Sequence, residues 1–168
     1  MSHSPLRIGF VGVGSMGQCA HLRQYATLED CRVVALAEPR EKTAREVARR
    51  YDIPSVYADA AAMVAAEELD ALVACQPFER HGLILAELLP TGLPIFIEKP
   101  LAASVQVGRR ILEQLADSES RIMVGYHKRS DPATIRAKAE IDRLKADGGC
   151  GRLTYVRITM PPGEWIQG

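Results

Sequence analysis

Residues 6–17 read LRIGFVGVGSMG, an apolar run over Leu6–Val11 that passes straight into Gly12-Val13-Gly14-Ser15-Met16-Gly17. No other feature narrows the fold as far. Glycine at these three places is what a strand–turn–helix needs when its backbone makes close approaches at the turn. The rest of the chain repeats the alternation. Short runs rich in Val and Ile at Cys31–Ala37, Ser55–Tyr57, Asp70–Cys75, Pro94–Ile97 and Arg121–Val124 are bounded by Gly, Pro or Asp and read as strands buried on both faces. Helical spacing fills the gaps: Ser15–Thr27, Arg40–Tyr51, Ala60–Glu67 with Asp59 as N-cap, Phe78–Leu89 stopped at Pro90-Thr91-Gly92, and Val105–Ala116 capped by Ser104. This order predicts an α/β fold, a doubly wound parallel sheet with right-handed crossovers.

Beyond Val124 the pattern changes. Pro132–Ala146 reads as one more helix, closed by Gly148-Gly149. Gly151–Met160 then alternates, with Thr154, Val156, Ile158 and Met160 on one face and Tyr155, Arg157 and Thr159 on the other. That is an antiparallel-type strand with one buried face, and the sequence offers it no partner. The expectation is a nucleotide-binding domain over 1–130, followed at 131–168 by a linking helix and the first strand of a truncated C-terminal α+β domain, the chain being the front part of a longer protein.

Composition excludes several classes. Twenty-one basic residues balance 21 acidic ones, with 47% apolar and 25% charged residues, as in an ordinary globular domain rather than a disordered tail or a basic nucleic-acid arm. No window of about 18 apolar residues exists to span a bilayer, and the start lacks a signal peptide's apolar core. Cys19, Cys31, Cys75 and Cys150 form no C-x-x-C pair, so idle thiols in a reducing cytosol are expected, with no metal, no nucleic-acid partner and no membrane.

In the glycine turn, Gly12 permits the tight bend, Gly14 lets backbone approach a pyrophosphate and Gly17 lets helix pack on strand. The amides and dipole of the helix start at Ser15, Met16 and Gly17 would hold the phosphates. A turn that merely packs, or one that holds S-adenosylmethionine, shares this pattern. Glu38 stands at the end of the second strand, 21 positions beyond Gly17. An acid there would accept hydrogen bonds from the adenine ribose and repel a 2′-phosphate, favouring NAD. Arg40 leaves NADP open, because a guanidinium can bind that phosphate.

Glu98-Lys99-Pro100 follows the fifth strand. With the glycine turn, with Gln76-Pro77 and His81 resembling a "P-x-x-x-H" segment, with TGLPIFIEKPLA (91–102) resembling "aGkhVlvEKPla", and with MVGYHKRSD (123–131) resembling "vGyxxRf", the chain resembles the Gfo/Idh/MocA family of NAD(P)-dependent sugar and polyol oxidoreductases. The resemblance runs from about Leu6 to Thr159.

It implies a Rossmann domain that binds NAD or NADP, and hydride transfer to or from a hydroxyl-bearing carbon of a sugar, inositol or related polyol. Lys99 would lie beside the nicotinamide and take a proton from the substrate hydroxyl, and the Lys99–Pro100 bond would be cis. Glu98 would hold the lysine or the nicotinamide ribose. Gln76, Pro77 and His81 would lie near the cofactor, and His127 and Lys128 near the substrate. Ser130 departs from the family by standing where Phe is usual. The family's further acid/base groups and its oligomer contacts belong to a second domain, so this chain alone is expected to be inactive, its homo-oligomer interface lying outside it. A non-catalytic dinucleotide-binding module is the alternative. His3 and His21 stand outside every motif.

Overall fold

A computed structural model describes residues 4–148 and 151–159. Six strands form one sheet: β1 (Leu6–Val11), β2 (Cys31–Ala37), β3 (Ser55–Tyr57), β4 (Ala71–Ala74), β5 (Ile95–Ile97) and β6 (Ile122–Val124). Their order is β3-β2-β1-β4-β5-β6, and every neighbouring pair is parallel. The chain works outward from β1 in one direction, then returns to β4 and works outward in the other. The crevice between the carboxyl ends of β1 and β4 is therefore the point where ligands bind in sheets of this kind.

Helices cover both faces. The first, α1, opens at 15, runs as a π-helix over Gly17–Leu22 and ends as an α-turn over Arg23–Tyr25. It is followed by α2 (Glu41–Arg50), α3 (Ala60–Ala66), α4 (His81–Leu88) and α5 (Val105–Ala116). The expected caps form: Asp59 accepts from the Ala62 amide and Ser104 from the Val107 amide. The stop after α4 also forms, with Gly92 in the left-handed region at φ 72°.

Alternation along the strands, stepped once where the β1–β2 register shifts between Ile8 and Gly9, divides the core in two. Ile8, Phe10, Val33, Leu36 and Val73 pack with Leu22, Ala44, Val47 and Ile53 on the α1–α2 side. Val11, Val34, Leu72, Ala74, Ile95 and Ile97 pack with Met63, Leu85, Leu88 and Ile111 on the α3–α5 side. Burying each such Val, Leu or Ile stabilises by about 1.5–3 kcal/mol. Phe10 also meets Tyr25 edge-on, ring centroids 5.5 Å apart.

The chain divides between Tyr126 and His127. In the second unit, a 3-10 turn over His127–Ser130 leads to α6 (Pro132–Ala146), where Asp131 caps the Ala133 amide. No residue of α6 is buried, and its surface carries the pairs Lys138–Asp142, Glu140–Arg143 and Arg143–Asp147. The strand expected over Gly151–Met160 is not formed at 151–159, and Met160 lies outside the described residues. Val156 is 62% and Ile158 87% exposed. A single strand without a neighbour leaves its ladder groups unpaired and its apolar face in water, which outweighs its alternating pattern. Among the described residues, no helix is long and apolar enough to cross a membrane.

Candidate functional site

The three glycines of the first turn differ in what they make room for. Gly12 leaves β1 at φ +88°, and a Cβ there would stand 2.6 Å from both the Cys75 carbonyl oxygen and Gln76 Nε2. A Cβ on Gly17 would stand 2.7 Å from the Gly12 carbonyl oxygen. Both glycines are demanded by the protein's own packing. Gly14 is not: its φ is ordinary, and the nearest atom to a Cβ would be Arg40 Nη2 at 3.9 Å. The space over Gly14 is open, and beside it the exposed Ser15 and Met16 begin the helix. The first N–H groups of a helix have no intrahelical partner, so they face this opening with the positive end of the helix dipole. The arrangement fits a diphosphate.

Glu38 follows β2 and is buried, 3% exposed. Oε2 accepts from the Val13 amide at 3.2 Å, which ties the end of β2 to the glycine turn. Arg40 supplies the other bonds: its amide and Nε donate to Oε1 at 3.1 and 2.7 Å, and Nη2 donates to Oε2 at 3.0 Å. The Arg40 side chain is 61% exposed. These bonds, the Arg40 guanidinium first, hold the Glu38 carboxyl below the usual carboxylate range against the effect of burial. Arg40, whose guanidinium left a 2′-phosphate open, is docked on Glu38.

The loop after β4 carries half-buried Gln76 and exposed Pro77. His81, at the start of α4, is fully buried. Its Nδ1 lies 2.8 Å from the Pro100 carbonyl oxygen and its Nε2 3.0 Å from the Gln76 carbonyl oxygen. His81, expected near the cofactor, has no accessible surface of its own; its ring joins the loop after β4 to the loop after β5. The Lys99–Pro100 bond at that junction is cis.

After β5, Glu98 and Lys99 do not pair through their charges. The Glu98 side chain is 14% exposed; Oε2 accepts from the Lys99 amide at 3.0 Å and Oε1 meets His21 Nε2 at 2.6 Å. Among the described residues, nothing hydrogen-bonds the Lys99 ammonium, and the residue is exposed at the carboxyl end of the sheet. His21 is the functional candidate that motif reading missed. Its spacing from Gly17, four residues along one helix, is the signal that could have found it, because such positions share a face.

A cleft of about 180 Å³ lies by the carboxyl ends of β1 and β2, lined by Val11, Ala37, Pro39, Gln76 and Arg80 among others. A larger one of about 550 Å³, lined by Leu89, Thr91, Ser118 and Glu119 among others, lies where the chain enters β5 and β6, away from the glycine turn. The first opens beside the ends of β1 and β2 and the loop after β4, and neither the glycine turn nor Lys99 lines it. In the second unit, His127 and Lys128 are exposed, and the Lys128 ammonium lies 3.5 Å from Asp131. No group of three or more His, Cys, Asp or Glu able to hold a metal occurs among the described residues.

Residues 6–126 match the family model described as "Oxidoreductase family, NAD-binding Rossmann fold", that of Gfo/Idh/MocA proteins. The chain belongs to this family. Its first unit is the NAD-binding Rossmann domain of a Gfo/Idh/MocA protein. Among similar proteins, the inositol 2-dehydrogenase of Rhizobium meliloti (strain 1021) is 30% identical over 167 residues, covering 96% of this chain and 48% of that protein. The scyllo-inositol 2-dehydrogenase (NAD(+)) of Bacillus subtilis (strain 168) is 26% identical over 172 residues, 99% of this chain and 49% of that protein. This Gfo/Idh/MocA chain thus spans about half the length of the curated relatives it matches. Its fold is that of scyllo-inositol dehydrogenase from Lactobacillus casei, solved with bound NAD(H) and scyllo-inositol: TM-score 0.78, 22% identity, 84% of this chain and 42% of that one.

Proposed function

We propose that this chain is the nucleotide-binding part of an NAD-dependent dehydrogenase that oxidises a hydroxyl group of an inositol or a related polyol. The open space over Gly14, facing the free amides of a helix start, carries the cofactor assignment. The names of the relatives, inositol 2-dehydrogenase and scyllo-inositol 2-dehydrogenase (NAD(+)), support the substrate class.

We assign the parts with the sheet order as support. Gly14, Ser15, Met16 and Gly17 seat the diphosphate at the centre of the sheet. Glu38, on the β2 side, meets the adenosine ribose and disfavours a 2′-phosphate, so NAD is preferred to NADP. Gln76 and Pro77 border the crevice, and Glu98 and Lys99 lie on the β5 side, toward the nicotinamide half. A bound NAD would supply a hydride acceptor for the alcohol carbon. Lys99, in its neutral amine form, would take the hydroxyl proton, while Glu98 fixes the backbone from which that amine projects. His127 and Lys128 are assigned to the substrate on the family resemblance.

NADH titrated into this chain, followed by its fluorescence, should saturate. In the complete protein, Lys99→Met should retain NADH binding and lose about 10²–10⁴-fold in turnover of inositols, the range for a positioned acid–base group. Absence of NADH binding would refute the cofactor site. Undiminished turnover in the variant would refute the role of Lys99.

A further inference from the structure

The geometry points to His21 as a positioning residue for the nicotinamide half of the site, acting through Glu98; this rests on the dinucleotide reading above. Three observations carry it. The first is the contact itself. His21 Nε2 lies 2.6 Å from Glu98 Oε1, with both side chains 14% exposed. The contact requires hydrogen on Nε2, and a bond to a largely buried carboxylate is among the stronger kinds. The second is its continuation: the other oxygen of the same carboxylate accepts the Lys99 amide at 3.0 Å. The imidazole therefore fixes the rotamer of the acid that fixes the backbone at Lys99.

The third is the helix. Gly17–Leu22 is a π-helix, a form that is rare and concentrates at functional places. In an α-helix, four residues overshoot a full turn by about 40°. The wider π turn leaves them short of one, so the side chain at 21 comes round differently with respect to the packing glycine at 17. The ring is then held against Phe96 of β5, centroids 5.1 Å apart. The helix whose start faces the diphosphate thus also reaches the strand end that carries the reactive lysine. A packing histidine would need neither the carboxylate nor the widened turn.

The test compares two ligands on this chain. NADH has the nicotinamide half; ADP has the diphosphate and adenosine but neither the nicotinamide nor its ribose. His21→Phe keeps a ring against Phe96 and removes the donor. His21→Gln restores a donor near the position of Nε2. His21→Asn, too short to reach Oε1, replaces the Phe variant if that protein melts early. The donor-less variant should bind NADH about tenfold more weakly, the loss expected of a hydrogen bond to a charged group. ADP binding should stay within about twofold, and the Gln variant should recover most of the NADH affinity. Equal NADH affinity in native and Phe proteins would overturn the inference. So would an equal loss for both ligands, which would place His21 in support of the glycine turn alone. If the native chain binds neither ligand, the dinucleotide reading itself falls, and this inference with it.

Discussion

Replacing Gly14 with alanine should separate binding from folding, because the protein leaves room for the added methyl group and a ligand would not. The nearest protein atom to that Cβ is 3.9 Å away, ordinary contact, and the backbone there lies outside the left-handed region. Glycine to alanine under those conditions stabilises by about 0.4–1 kcal/mol, through the entropy of the unfolded chain. For a chain of this size, each kcal/mol moves the melting temperature by about 2–4 °C, so a rise of about 1–4 °C is expected. A diphosphate seated on the amides at 14–17 would meet the new methyl. Losing one phosphate–amide bond costs about 1.5–3 kcal/mol, or about ten- to a hundredfold in affinity. Gly17→Ala provides the contrast, since its Cβ would lie 2.7 Å from the Gly12 carbonyl oxygen. Overpacking of that kind costs about 1–3 kcal/mol and should lower the melting temperature. Scanning calorimetry and NADH fluorescence on the two variants read both quantities. A Gly14→Ala protein that melts as expected and binds NADH like the native chain would refute the diphosphate seat.

Two further outcomes follow from titrating groups. The folded-state pKa of Glu38 is depressed by its Arg40 bonds, so the stability it contributes is present above the unfolded carboxylate value and is lost as pH falls through the lower folded one. Acid unfolding of Glu38→Gln, followed by circular dichroism, should show a flatter dependence across that interval; a profile parallel to the native one would contradict the pairing. Burial pushes the Cys75 thiol up to about 12, whereas Cys19 is exposed. Iodoacetamide at pH 8 should therefore modify Cys19 while leaving Cys75 intact in the folded chain, as peptide mass mapping would reveal. Rapid labelling of Cys75 without unfolding would overturn its placement.

Much of the fold was legible because each strand is a continuous apolar run stopped by Gly, Pro or Asp, and each crossover has a helical period. β1, β2, β3 and α5 have the expected limits, and the caps at Asp59 and Ser104 form as their residue types dictate. The π turn in α1 was hidden, since no residue preference marks it and tertiary contacts decide it. The strand expected at Gly151–Met160 shows the opposite failure: period 2 is a statement about a sheet face, and no face is offered to 151–159. Within the site, the glycines, Glu38, Gln76 and the Glu98-Lys99-Pro100 segment could be placed because each follows a strand. The burial of His81 was not legible, because sequence order says nothing of burial. His21 was missed because its partner stands 77 residues away.

The saturated carboxylate at the end of β2 has one more consequence. A carboxylate offers about four acceptor directions, and those of Glu38 already receive the amides of Val13 and Arg40 and two arms of the guanidinium. On the proposed reading, a ribose diol bound at Glu38 would displace the arginine rather than fill an empty slot. Affinity measured for an adenosine-bearing ligand is then the outcome of a contest between two suitors. Anything that loosens the resident, whether salt or truncation of Arg40, tilts the exchange toward the newcomer.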